Sequence, residues 1–172
     1  MKFKMYEEAG GSLCTQGSME GEGFKYICES LLKESQRYHR KQWEMGYILD
    51  MLNKHDKLDK GLGFGCGREV IVPVFAAMGI NLTVTDLGFE EAKSKGWVTT
   101  DQHSSGLEDF IRFCPNVCTE DQLKGLTYRT VNMNDIPLDL VDFDFCWSAC
   151  SLEHVGSLEK AKRFIYNTLR WL

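Results

Sequence analysis

What the chain lacks narrows its class before any motif is considered. No apolar run approaches the about 18 residues of a membrane-crossing helix, and the opening MKFKMYEEAGGSLC has no apolar core of a signal peptide. Only three prolines occur among 172 residues, which argues against a disordered or repetitive chain. There is no extended basic tract. The net charge is −5, and the short cluster Arg37, His39, Arg40, Lys41 reads as a solvated helix face, so an electrostatic footprint for nucleic acid is missing. No glycine-lysine-serine or glycine-lysine-threonine follows a glycine run, which excludes a P-loop. These absences predict a soluble, cytoplasmic protein with no membrane and no nucleic-acid partner.

Cysteine is plentiful, at seven residues. Without an export signal, reduced thiols are expected rather than a disulfide framework. Two pairs have C-x3-C spacing, Cys114 with Cys118 and Cys146 with Cys150, so zinc has to be weighed. Cys146 lies within an apolar strand pattern and Cys118 beside a helix start, and buried small hydrophobes are the better reading. No metal is expected.

The length suits one domain. Residues 1–23 are polar and glycine-rich without apolar periodicity, which predicts a loose arm, and residues 24–172 read as a single domain. FKYICESLLKE and QRYHRKQWEMGYILDMLNKHDK carry apolar residues at helical spacing, Trp43, Tyr47 and Met51 falling at i, i+4 and i+8. LDKGLGFG then reads as a strand entering a glycine turn, REVIVPVFAAMG as a helix closed by Gly79, and INLTVTDL as a second strand ending on Asp86. GFEEAKSKGW and HSSGLEDFIRFC predict short helices, the second capped by Ser104 or Ser105. Thr119 caps another in TEDQLKGL. TYRTVNMNDIP is a third strand, LVDFDFCWSAC a fourth, and SLEKAKRFIYNTLRWL a closing helix. Alternating strands and helices define an α/β, doubly wound, mostly parallel sheet with N-terminal helices. Ligands of such sheets bind at the carboxyl ends of the strands.

The densest signal is KGLGFGCGRE, with glycine at every second position from Gly61 to Gly67. Glycine is the costliest residue to order, so such a run marks a place where backbone must be approached closely. A strand-to-helix turn presents free amides to a polar or anionic ligand. Asp86 ends the next strand about 20 residues on, where an acid can accept ribose hydroxyls. Together they describe an adenosine-containing cofactor. The dinucleotide spacing G-x-G-x-x-G fails in every frame, because Cys66, Arg68 or Val70 stands where the third glycine belongs, while G-x-G-x-G is satisfied by Gly63, Gly65 and Gly67. An NAD-dependent oxidoreductase keeps the fold and Asp86 but contradicts this spacing. A tight crossover with no ligand is the bland alternative.

With these motifs the sequence resembles the class I S-adenosylmethionine-dependent methyltransferases, and more narrowly a bacterial methyltransferase-like group. RKQWE, GLGFGCGRE, TVTDL, VNMNDIP and DFDFCWSACSLEHVGSLEKA carry the resemblance in order over about residues 38–172. It implies a Rossmann-like fold and S-adenosyl-L-methionine as cofactor, with S-adenosyl-L-homocysteine as product. It implies that Gly63, Phe64, Gly65 and Gly67 line the methionine part, that Asp86 holds the ribose and that Leu87 packs on the adenine. Asn132 stands where the family usually has an acid facing the adenine amino group, and Met133 would offer its backbone amide to the ring. Trp147 and Ser148 would face the reactive methyl. Glu153 and His154 are the candidate catalytic pair, able to orient or deprotonate an acceptor, with packing or capping as the structural alternative for His154. Gln42 and Trp43 form a possible lid, or core.

Two departures from the family are visible. Gly61 replaces the acid that commonly ends strand one. The family's sheet has the order 3-2-1-4-5-7-6, and only its first four strands can be placed, which predicts a domain truncated after the fourth. Strand four would then be a long apolar edge, predicting a homo-oligomer that buries it or cover from the N-terminal arm. The acceptor stays open among small molecule, glycan and protein, and a catalytically silent fragment that binds S-adenosylmethionine or S-adenosylhomocysteine is the alternative to an active methyltransferase.

Overall fold

The computed structural model describes residues 5, 11–55, 58–113, 116–170 and 172. The chain divides into two compact units, Met1–Leu58 and Asp59–Leu172. The boundary therefore follows the last N-terminal helix instead of falling at residue 23.

In the first unit, helix α1 (Gln16–Met19) opens on a capping box in which Thr15 and Ser18 bond each other's backbone amides. Part of the expected loose arm is thus ordered, with Met19 buried. Helix α2 (Glu22–Tyr26) continues into a π-helical segment, Ile27–Leu32, which Lys33 ends in the left-handed conformation at φ 56°. Helix α3 spans Arg40–Leu52. Met19, Phe24, Cys28 and Trp43 form the core of this unit. A Cβ at Gly46 would lie 3.0 Å from the Phe24 ring, so the absence of a side chain in mid-helix admits that ring.

The second unit is built on four parallel strands, β1 (Lys60–Phe64), β2 (Asn81–Asp86), β3 (Leu126–Thr130) and β4 (Phe145–Trp147), in the order β3-β2-β1-β4. Helix α4 (Ile71–Ala77) links β1 to β2, and three short helices, α5 (Phe89–Ser94), α6 (Glu108–Ile111) and α7 (Glu120–Leu123), lead to β3. Thr119 caps α7 with a capping box, as its sequence predicts. Ser104 and Ser105 do not cap α6, whose N-cap is Leu107. After β4 come a 3-10 turn (Leu152–His154) and α8 (Leu158–Thr168), capped by Ser157.

Period two along β1 sets the two faces of the sheet. Leu62 and Phe64 join Val131, Leu140 and Phe164 in one core, where Phe64 meets the α8 ring of Phe164 edge-on at 5.1 Å. Gly61 and Gly63 point the other way and pair in register with Phe145 and Trp147 of β4. Those two rings lie over the bare backbone and meet Phe75 of α4 at 5.5 and 5.0 Å. A Cβ at Gly61 would come within 2.6 Å of Phe145, and one at Gly63 within 2.4 Å of Trp147. The acid expected at position 61 has no room here.

The fourth strand is shorter than its sequence pattern predicts. Only Phe145–Trp147 pair, and the predicted long apolar edge is three residues, a poor template for association. Residues 139–144 pass outside the sheet, and Asp144 turns its carboxylate back to accept from the Asp59 and Lys60 amides at 2.7 and 2.8 Å.

Candidate adenosyl site

Strand order reverses between β1 and β4, so the carboxyl ends of these strands flank the topological switch point at which open α/β sheets bind ligands. The turn after β1 needs glycine for its backbone: Gly65 and Gly67 have φ of 59° and 52°. Both glycines also make room for the chain itself. A Cβ at Gly65 would meet Ser151 Oγ at 2.6 Å, and one at Gly67 the carbonyl oxygen of Gln102 at 2.6 Å. Gly63 is covered by Trp147 and by Cys66 Sγ. The close approach that the glycine run signals is thus made in each case by protein atoms. Helix α4 begins at Ile71, beyond the turn.

Asp86 ends β2 and is only 6% exposed. Its Oδ2 accepts from the amides of Gly67 and Ser104, both at 3.1 Å, and Oδ1 accepts from Leu87 at 2.8 Å. Burial pushes its carboxyl above the usual 3.8, against the opposing pull of these amides and of His103. The segment from Gln102 to Ser104 closes this corner. His103 Nε2 lies 2.7 Å from the Leu87 carbonyl oxygen, which can only accept, so that nitrogen carries the proton. Tyr128 of β3 donates its hydroxyl to the Ser104 carbonyl at 2.6 Å. Arg68, just past the glycine turn, pairs with Asp101 and Asp109, which lie on either side of the same segment in the chain.

Thr85 Oγ1 donates to the Gly63 carbonyl at 2.8 Å, fixing β2 to β1 one residue before Asp86. Burial raises the Cys66 thiol well above its usual 9.0, which makes it a packing group and a poor nucleophile.

Beyond β3, Asn132 donates to the Glu91 carboxylate at 3.3 and 3.4 Å, and its Oδ1 accepts from the Asn134 amide at 2.9 Å. Met133 is half-buried against the Leu62 and Phe64 core. Beyond β4, the Ser148 hydroxyl is buried and has no hydrogen-bond partner among the described residues. Cys150 is left-handed at φ 52°, and Ser151 Oγ donates towards the carbonyls of Gly65 and Ala149 at 2.7 and 2.9 Å.

The other expected site residues are placed as follows. The side chains of Phe64 and Trp147 are core, on opposite faces of the sheet. Glu153 and His154 are exposed on the 3-10 turn, and the His154 ring lies 5.3 Å from that of Trp97. Gln42 and Trp43 are committed within the first unit: Gln42 bonds the Arg37 amide, the Ser35 carbonyl and Glu34, and Trp43 stacks on Tyr47 and donates to Ser18 Oγ. Cys114 lies outside the described residues. Among those described, no group of three or more His, Cys, Asp or Glu is arranged to hold a metal ion, and no helix is long and apolar enough to cross a membrane.

Sequence reasoning missed the 102–104 segment. It assigned Ser104 or Ser105 as a helix cap, and nothing in DQHSSG is periodic, so only the polar residues between two elements could have flagged it.

The parallel order 3-2-1-4 with flanking helices is the Rossmann-like α/β fold of the class I methyltransferases, and solved structures agree on this. The glycopeptide N-methyltransferase MtfA superposes with a TM-score of 0.52 at 12% identity, covering 75% of this chain and 52% of its own. MtfA complexed with sinefungin gives 0.51 at 14% identity, covering 74% of this chain and 44% of its own. A TehB-like SAM-dependent methyltransferase from Corynebacterium glutamicum aligns with a TM-score of 0.46 at 15% identity over 69% of this chain and 52% of its own. The chain spans about half the length of these matched structures. No protein-family model matches the sequence, and no curated protein does.

Proposed function

We propose that the second unit binds S-adenosyl-L-methionine at the ends of β1, β2 and β4 and transfers its methyl group to an acceptor in the cytoplasm. The observation that carries this reading is the Ser148 hydroxyl, buried and unpartnered at the switch point, beside a glycine turn whose spacing suits this cofactor. A buried hydroxyl without a partner costs free energy that a polar ligand would recover.

The polar groups fit a nucleoside ligand in part. Asp86 Oδ1 keeps one lone pair for a ribose hydroxyl, and Asn132 Oδ1 keeps one for an adenine amino group. Leu87 is half-buried next to Asp86, suited to lie against a base. The glycine Cα faces fit less well, because Trp147, Ser151 and Gln102 already cover them. Bound here, S-adenosyl-L-methionine supplies an electrophilic methyl group. The chain's own work is positioning and exclusion of water. We assign His154, exposed on the 3-10 turn, the role of taking a proton from an incoming acceptor.

A silent binding domain is the second reading, favoured by the exposure of both Glu153 and His154. Calorimetry with S-adenosyl-L-homocysteine against NAD tests the cofactor: binding of the first alone supports the proposal, and preference for NAD defeats it. Transfer of label from methyl-labelled S-adenosyl-L-methionine across small-molecule, glycan and peptide acceptors then separates the two readings. Binding without transfer to any of them favours the silent domain.

A further inference from the structure

The hydrogen bonds around Asp86 set how many hydroxyls it can hold. A carboxylate offers about four lone-pair positions. Oδ2 spends two on the Gly67 and Ser104 amides, and Oδ1 spends one on the Leu87 amide. One position remains, on Oδ1. The Ser104 amide is held in place from behind, since Tyr128 donates its hydroxyl to the Ser104 carbonyl at 2.6 Å. His103 anchors the adjoining residue to the Leu87 carbonyl at 2.7 Å, and Ser104 is fully buried.

We propose that Tyr128 is a positioning residue for ligand recognition: by fixing Ser104 it fills the Asp86 Oδ2 position that Gly67 leaves open and makes Asp86 a one-point acceptor for a single hydroxyl of a ribose diol. This rests on the reading of Asp86 as the ribose acceptor, and it departs from the expectation that an acid at this strand end takes both hydroxyls. Tyr128 itself touches no ligand. Without its hydroxyl, the Ser104 segment loses its tie to β3, the Oδ2 position taken by the Ser104 amide is released while Gly67 keeps the other, and each Asp86 oxygen then has one position for the diol.

The test compares S-adenosyl-L-homocysteine with its 2′-deoxy and 3′-deoxy analogues by calorimetry on the full chain and on Tyr128→Phe. In the wild type, losing one hydroxyl weakens binding at least about tenfold more than losing the other, because only one meets a charged acceptor. In Tyr128→Phe the two losses converge to within about threefold of each other. Equal losses in the wild type overturn the one-point assignment without any variant. Uniformly weaker binding in Tyr128→Phe with an unchanged ratio of losses makes Tyr128 a packing residue and overturns its positioning role. Failure of a folded wild-type chain to bind S-adenosyl-L-homocysteine at all instead defeats the adenosyl reading, and this inference falls with it.

Discussion

The tips of β2 and β4 lie on either side of β1 and are built on opposite principles. At β2 the groups at the strand end bond one another: Asp86 takes three amides, Leu87 offers its carbonyl to His103, and Ser104 is held by Tyr128. At β4 a buried hydroxyl at Ser148 goes without a partner, Cys150 is in a left-handed conformation, and Glu153 and His154 face outward. A corner in which polar groups satisfy one another is rigid before any ligand arrives. A corner with an unmet hydroxyl and exposed titratable groups is one that a ligand completes. On the proposed function, recognition falls to the β2 side and the chemistry to the β4 side.

The largest expected effect lies at β2. Asp86→Ala strips the acceptor from the half-buried Gly67 amide and the buried Ser104 amide and should cost about 2–4 kcal/mol in denaturant unfolding. It should also weaken S-adenosyl-L-homocysteine binding at least about thirtyfold. A loss of under about 0.5 kcal/mol would show that water replaces the carboxylate and that the corner is not pre-built.

Next comes Gly63→Ala, which drives a methyl group into Trp147 and Cys66 and should cost about 1–3 kcal/mol. The double variant with Trp147→Leu should recover part of that loss, because the two positions share one space. Additive losses would mean that the ring is not what the glycine accommodates.

Ser148→Ala sharpens the contrast. Removing a hydroxyl that has no partner should leave stability within about 0.5 kcal/mol or raise it, while ligand affinity falls severalfold. A clear loss of stability would reveal a protein partner and abolish the distinction between the two tips.

The smallest effect is on pH dependence. Burial raises the Asp86 carboxyl above 3.8 in the folded chain, so its protonated form is favoured by folding. The stability this contributes is full below 3.8 and is lost as pH rises through the folded value. Urea midpoints followed upward from that pH should therefore fall less in Asp86→Ala than in the wild type. Parallel curves would mean the carboxyl is not shifted upward.

Much of the frame was legible because it depends on local pattern. The end of β2 at Asp86 and the Thr119 cap follow from period-two alternation and capping chemistry, and the order of strands is what the family resemblance implies. The alternating glycines marked the right place, yet their meaning was not legible. Which atoms fill the space over Gly61 and Gly63 depends on the register with β4, and Ser151 reaches Gly65 from 86 residues away. The 102–104 segment was invisible for the same reason. Its order comes from bonds to Asp86, Leu87 and Tyr128, none of them neighbours in sequence. The length of β4 was overestimated because Leu140 and Phe143 pack with Phe164 of α8 without joining the ladder.

The most direct test of the proposed adenosyl site is backbone amide NMR of the full chain titrated with S-adenosyl-L-homocysteine. The account predicts shift changes concentrated at Leu87, Asn132, Met133 and Ser148, with little change in the first unit's core around Phe24 and Cys28. Changes confined to other surfaces, or none at saturating ligand in a folded chain, would contradict it.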